Sequence, residues 1–252
     1  MEKIAIQAAK EAGKILTENF GKVSKINVKK RGDLVTNVDL EAEKKIISLI
    51  RKRYPEHSIL SEESKQLKGS SEYRWIIDPL DGTHNYVRGI EIFGVSIALE
   101  YKEDVILGVI YIPFGNQLYF AQKGEGSYLN GKKIKVSERK IDQAFVVYDS
   151  SIKLDRGKTM LHNLEKLTKE TFSLRMFGSS ARSLSYAAEG KIDIVIDYHD
   201  RPWDFSAGAL IVEEAGGKVT DMSGRPWSSR SRGYIASNGT LHKDIIRILK
   251  SN

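Results

Sequence analysis

Ile4, Ala8, Ala12, Ile15 and Leu16 return at helical spacing near the start of the chain, and Leu40, Ile46, Ile47 and Ile50 do so again before Tyr54-Pro55. With polar residues between them, these periods predict two amphipathic helices, each laying one face on a core. At residue 75 the pattern changes. Trp75, Ile76 and Ile77 form an unbroken apolar run, as in a strand covered on both faces. Strand patterns follow over residues 93–101, 105–112 and 117–121, with Asn130-Gly131 supplying a tight turn behind them. From there strand and helix alternate: strand 144–148, helix 155–168, strand 173–177, helix 179–189, strand 192–197, then a helix that opens at Pro202, runs to Glu214 and closes at Gly216-Gly217. The reading is an α+β part over residues 1–140 and an α/β part over 141–252. No linker, repeat or low-complexity segment divides them, so one compact unit is expected.

Composition narrows the class. Over 252 residues, 40% hydrophobic and 29% charged positions are those of an ordinary globular chain with enough material for a substantial core. Cysteine is absent, the N-terminus lacks a basic-then-apolar leader, and no apolar run approaches the roughly 18 residues of a membrane span. A cytoplasmic protein with no membrane partner is the expectation. The net charge of +7 raises the question of nucleic acid. Its basic groups, Lys29-Lys30-Arg31, Arg51-Lys52-Arg53, Arg139-Lys140 and Arg230 to Arg232, are scattered over separate elements without an aromatic stacking pattern, which reads as solvated surface. No nucleic-acid partner is expected, and a basic rim would instead draw in small polyanions.

The candidate chemistry lies in Asp78-Pro79-Leu80-Asp81-Gly82-Thr83. Pro79 breaks strand pairing, which leaves the Asp78 carboxylate at a strand tip, and Asp81 follows closely enough to share a cation. Gly82 allows close backbone approach, and Thr83 with the following amides offers donors to an anion. Hard oxygen ligands of this kind suit magnesium or manganese, and the absence of cysteine rules out thiolate sites. Taken alone the segment also reads as a Pro-Leu-Asp-Gly turn. Three further acidic elements each have a structural reading too. Glu62-Glu63 fits a solvated face, Thr36 and Asp39 form a capping box, and Asp204 after Pro202 is ordinary helix-start chemistry.

In this order and at these separations, Asp39, Glu62-Glu63, Asp78-Pro79-Leu80-Asp81-Gly82-Thr83, Trp203-Asp204 and Gly216-Gly217 resemble the magnesium-dependent, lithium-sensitive phosphomonoesterases that include inositol monophosphatase and fructose-1,6-bisphosphatase. The resemblance implies a layered αβαβα sandwich, usually a homodimer, and two or three magnesium ions, with manganese able to substitute and lithium inhibitory. It implies that Glu62, Asp78 and the Leu80 carbonyl hold a first ion, that Asp78, Asp81 and Asp204 hold a second, and that a third sits weakly near Glu62. Asp39, Glu62 and Thr83 are then the catalytic groups, with Asp39 and Thr83 orienting and deprotonating a water. The charges agree, because four converging carboxylates repel one another unless cations neutralise them. The Gly82 and Thr83 amides are expected on the phosphate, together with Asp81.

Substrate contacts are expected from Gly178, Ser179, Ser180, Arg175, Asp197 and Arg201, with Arg88 a further candidate for a second phosphate. Asp197 stands where the inositol enzymes place a glutamate, and this shorter side chain argues against strict inositol selectivity. The resemblance therefore leans to dual activity on fructose-1,6-bisphosphate, at the 1-phosphate, and on inositol-1-phosphate. The alternatives are a 3′-phosphoadenosine nucleotide phosphatase, a histidinol-phosphatase-like relative, and a non-catalytic anion- or RNA-binding protein. Lys29 or Lys30 resembles the mobile-loop lysine of the family or is plain basic surface.

Overall fold

The computed structural model describes residues 1–23, 25–28, 34–64, 66–149 and 157–251. Helix α1 (Glu2–Asn19) buries Ala5, Ala8, Ala9, Ala12 and Leu16. A two-stranded antiparallel ribbon, β1 (Ile26–Val28) and β2 (Leu34–Thr36), leads into α2 (Asn37–Arg53). The Thr36–Asp39 capping box opens α2 as expected. The inward face of α2 is Val38, Ala42, Ile46 and Ile50, whereas Leu40 is 38% exposed, so its place in the predicted apolar stripe is corrected. The two helices cover one face of a seven-stranded sheet in the order β3-β4-β5-β6-β7-β8-β9. Its strands are β3 (Ser58–Ser61), β4 (Tyr73–Asp81), β5 (Gly94–Tyr101), β6 (Asp104–Ile112), β7 (Gln117–Gln122), β8 (Gly126–Leu129) and β9 (Lys132–Lys133). The short helix α3 (Thr83–Val87) sits between β4 and β5, and Asn130-Gly131 makes the turn from β8 to β9 with both residues at positive φ.

One expectation at β4 fails. Pro79 does not end the strand: pairing with β5 holds from Tyr73 to Asp78, opposite Ser96, and resumes at Asp81, opposite Gly94. β4 therefore carries one more residue than its partner over this interval, a β-bulge, and Pro79 is tolerated because the bulge takes it out of the ladder. Asp78 lies inside the strand, not at its tip.

The second sheet is five-stranded, β11-β10-β12-β14-β13, from β10 (Phe145–Asp149), β11 (Ser173–Arg175), β12 (Ile194–Asp197), β13 (Lys218–Thr220) and β14 (Tyr234–Ser237). Strands β11, β10 and β12 run parallel, and β14 and β13 add antiparallel. Between the sheets lie α5 (Ser180–Ala188) and α6 (Pro202–Glu214), which build a core with residues from both sheets, among them Ile110, Tyr119, Val195 and Tyr234. Helix α6 is apolar on almost every side, as a helix enclosed by two sheets must be. Outside the second sheet, α4 (Gly157–Glu170) and α7 (His242–Lys250) close the last core around Val146, Ile194 and Ile245. The layers are αβαβα. Among the described residues no helix is long and apolar enough to cross a membrane.

Candidate active site

The sheets and α6 bring the separated acidic elements together. Asp78 is 1% exposed; its Oδ1 accepts from the Leu80 amide at 3.0 Å. Burial pushes its carboxyl well above the usual carboxylate range, and the charges of Glu62, Asp81 and Asp204 push it further. Asp204, at the start of α6, accepts from the Arg201 amide at 2.6 Å and is driven up in the same way by burial, Glu62, Asp81 and Asp197. Asp81 receives the Ser180 amide at 3.1 Å, the Ala181 amide at 3.0 Å and the Ser179 hydroxyl. These bonds favour its charged form, yet burial outweighs them and, with Glu62 adding repulsion, holds the group at about 7.

Glu62 follows β3, its amide bonded to the Ile77 carbonyl of β4 at 3.2 Å. The turn after it is gripped by Glu43 of α2, whose carboxylate accepts from the Glu63 and Ser64 amides at 3.2 and 3.0 Å and from the Ser64 hydroxyl. Asp39 is fully buried, and its Oδ1 accepts from Thr83 Oγ1 at 3.2 Å while the same hydroxyl lies 3.0 Å from the Leu80 carbonyl. Gly82 caps α3 at φ +87°, where a Cβ would meet the Ile92 carbonyl at 2.7 Å, so glycine is required on both counts.

A second acidic group adjoins the first. Asp149 and Asp197 pair across the ends of parallel β10 and β12. Asp197 accepts from the His199 and Asp200 amides at 2.6 and 2.9 Å, and burial, reinforced by Asp149, holds it at about 6. Asp200 accepts from the Ser180 hydroxyl, which in turn receives Tyr234 OH at 3.1 Å. Burial, then Asp197 and Asp204, raise Asp200 well above its ordinary range.

Glu62, Asp78, Asp81 and Asp204, from separate parts of the chain, thus act on one another through space. Among the described residues no lysine or arginine forms an ion pair with Asp78, Asp81 or Asp204, which leaves these three hard carboxylate donors without a paired side-chain cation among those residues. That donor chemistry fits divalent magnesium. The side chains are not drawn up into coordination: among the described residues no group of three or more acidic or histidine side chains is close enough to hold an ion as it stands. Asp81, in particular, has both oxygens on the amides of α5.

Gly178, Ser179 and Ser180 lie at the start of α5, next to Asp81. Arg201 is half-buried at the start of α6. Arg175 is exposed and bonded to Ser173 and the Leu174 carbonyl, with its guanidinium over the Phe145 ring, and Arg88 is exposed after α3. Lys29 and Lys30 lie outside the described residues. Glu43, Asn85, Asp149, Asp200 and Tyr234 were not anticipated; no local pattern marks them. A cleft of about 370 Å³ beside Trp227 and Lys218 contains none of the clustered carboxylates.

Comparison with known proteins agrees with the geometry. The model of the inositol monophosphatase family matches residues 1–252. The fructose-1,6-bisphosphatase/inositol-1-monophosphatase of Aquifex aeolicus is 40% identical over 98% of this chain and 94% of its own length. The Nus factor SuhB of Escherichia coli is likewise 40% identical, over 98% of this chain and 94% of its own. In three dimensions the extragenic suppressor protein suhB of Bartonella henselae superposes with a TM-score of 0.96 at 35% identity, covering 100% of this chain and 98% of that one. The layered fold, the clustered carboxylates and the full-length match together make this chain a phosphatase that belongs to the inositol monophosphatase family.

Proposed function

We propose that the protein is a magnesium-dependent phosphomonoesterase acting on sugar and inositol phosphates, with fructose-1,6-bisphosphate, at its 1-phosphate, and inositol-1-phosphate as substrates. The observation that carries this reading is the group of buried Asp78 and Asp81 with half-buried Glu62 and Asp204, mutually repelling and, for the three aspartates, without an ion-pair partner among the described residues. These carboxylates and the Leu80 carbonyl would hold two or three magnesium ions. Bound there, magnesium would neutralise the carboxylates, acidify a water and offset charge on the leaving oxygen.

The protein's own groups do the rest. Asp39, tied to Thr83, orients the attacking water and takes its proton through the Thr83 hydroxyl. Desolvation of Asp39 supports that role, because it raises the proton affinity of a carboxylate that the capping box and Thr83 otherwise keep charged. The Gly82 and Thr83 amides receive the phosphate oxygens. Gly178, Ser179, Ser180 and Asp197 face the sugar hydroxyls, and Arg201, with Arg175 or Arg88, offers charge to a second phosphate. The names of two relatives, in Aquifex and in Thermotoga maritima, join the same two activities and support the pairing.

Phosphate release should be measured with magnesium on fructose-1,6-bisphosphate, inositol-1-phosphate and 3′-phosphoadenosine-5′-phosphate, with an EDTA control. Hydrolysis of the first two alone is expected. Asp204→Asn should reduce it by roughly a hundredfold or more with the fold retained, and Asp39→Asn should slow turnover while sparing magnesium binding. Preference for the nucleotide would move the function to nucleotide salvage. No magnesium-dependent release from any substrate would favour a non-catalytic role of the kind the Nus-factor name of the E. coli relative suggests.

A further inference from the structure

The peptide between Phe177 and Gly178 is held along both of its edges. On one side the Asp149 carboxylate, at the end of β10, accepts from the Phe177 amide at 3.0 Å and the Gly178 amide at 3.1 Å. On the other, Asn85 Nδ2 donates to the Phe177 carbonyl at 2.7 Å and lies 3.3 Å from the Gly178 carbonyl. The same amide group reaches the Ile92 carbonyl at 2.9 Å. Three carbonyls around one nitrogen leave no doubt which end of the Asn85 amide points there. Ser183 ties the arrangement together, its hydroxyl donating to the Ser179 carbonyl at 2.7 Å and lying 3.4 Å from Asp149. Gly178 itself is at φ +62°, which lets the chain turn between the two grips.

Immediately beyond this peptide, Ser179, Ser180 and Ala181 present the hydroxyl and two amides that hold Asp81. Asp81 and Asn85 belong to one short stretch of the seven-stranded half. Both bind the segment that opens α5, and Asp149 anchors that segment to the five-stranded sheet. The amides that fix Asp81 therefore stand where Asn85 and Asp149 place them. Neither residue belongs to the carboxylate group that would meet metal or substrate.

We propose that Asn85 and Asp149 are positioning residues for the phosphatase: clasping opposite edges of the Phe177–Gly178 peptide, they set the orientation of Asp81 and hence the affinity of the site for magnesium. This rests on the reading of Asp81 as a metal ligand. Asn85→Asp keeps the size of the side chain but turns a carboxylate on two or three carbonyls. Asp149→Leu keeps the approximate shape and leaves two amides unpaired. Asp149→Asn retains an acceptor oxygen for those amides without the charge.

Magnesium should be titrated against melting temperature in the full-length protein, without substrate, beside kcat and KM. For Asn85→Asp and Asp149→Leu the half-saturating magnesium is expected to rise roughly ten- to a hundredfold, the range usual for groups that orient metal ligands. kcat at sub-saturating magnesium should fall and recover as magnesium is raised, KM should rise as well because Gly178–Ser180 face the sugar, and the transition in EDTA should remain cooperative, lowered only by the groups left unpaired. Asp149→Asn should restore most of the affinity, since the oxygen and not the charge does the holding. Unchanged half-saturation and kcat in the two severe variants would overturn the proposal. So would loss of a cooperative transition in EDTA for both, because the clasp would then be a requirement of folding alone. Asp81→Asn separates the two levels. Impaired magnesium binding in Asp81→Asn but in neither clasp variant sinks only this inference, whereas normal binding and turnover in Asp81→Asn sinks the site reading beneath it.

Discussion

Asp81 gives both carboxylate oxygens to the start of α5 and still holds its proton up to about 7, because burial costs its charged form more than those bonds return. The linkage sign follows. A carboxyl raised from 3.8 binds a proton in the folded protein that the unfolded chain has released, so stability is fullest below 3.8 and declines as pH rises through about 7. Asp78 and Asp204 shift in the same direction. In EDTA these carboxyls should each contribute a fall in melting temperature between pH 4 and pH 8, read as the difference in slope between the unmodified protein and Asp81→Asn, and magnesium should flatten or reverse that contribution; identical slopes in EDTA would contradict the raised proton affinity of Asp81. The ligand candidates were legible only as a set, through an order and spacing that resemble the family, since each alone also reads as a turn, a cap or a solvated face. Glu43, Asn85 and Asp149 were not legible. Asn85 meets Phe177 across 92 positions and Glu43 meets Glu63 across 20, so their meaning depends on which loop the fold delivers to them.

At the level of elements, α7 is pinned by His242, which is 1% exposed with Nε2 3.0 Å from Thr220 Oγ1 and Nδ1 2.9 Å from Ser237 Oγ. Burial, with Lys218 nearby, lowers its pKa from 6.5 to about 4. The unfolded chain thus takes up a proton that the folded one refuses, and stability should fall as pH drops from 6.5 to 4, by on the order of 3 kcal/mol. His242→Gln should remove that part of the acid sensitivity in denaturant melts; an unchanged slope would place it elsewhere. Periodicity located α1, α2, the central strands of the first sheet and the alternation from β10 to α6, but it marked none of the short strands β1, β2, β3, β13 and β14 nor α7, and its boundary errors have local causes. The strand expected over 173–177 stops at Arg175 because the amides of Phe177 and Gly178 go to Asp149 instead of a ladder. The helix expected from 179 begins at Ser180 because Ser179 is its cap, accepting from the Arg182 amide. Such side-chain competition for backbone groups leaves no trace in an apolar period.

Across the whole molecule, α6 is the member that both sheets share, and it fits because glycines line its approach. A Cβ at Gly108 of β6 would stand 2.6 Å from the Ala207 carbonyl, and one at Gly208 would stand 2.5 Å from Leu184 Cδ1. Gly108→Val should cost about 1–3 kcal/mol through overpacking and should reduce turnover as well, since α6 carries Asp204; stability loss with undiminished turnover would show that the helix yields without moving its first turn. The pattern of apolar residues gave two kinds of half but not their stacking; the five layers were expected only from the family resemblance, since close approach of helix and strand is a matter of absent side chains. The bulge in β4 has a consequence of arithmetic. Side chains on a strand alternate, so positions 78 and 81, separated by an odd step, belong on opposite faces of a regular sheet. The supernumerary residue corrects the parity and lets both aspartates join one cluster. The coherence of this site is therefore written in a count of residues before it is written in their identities: β4 can bear a changed side chain at 79 or 80 more readily than a changed length.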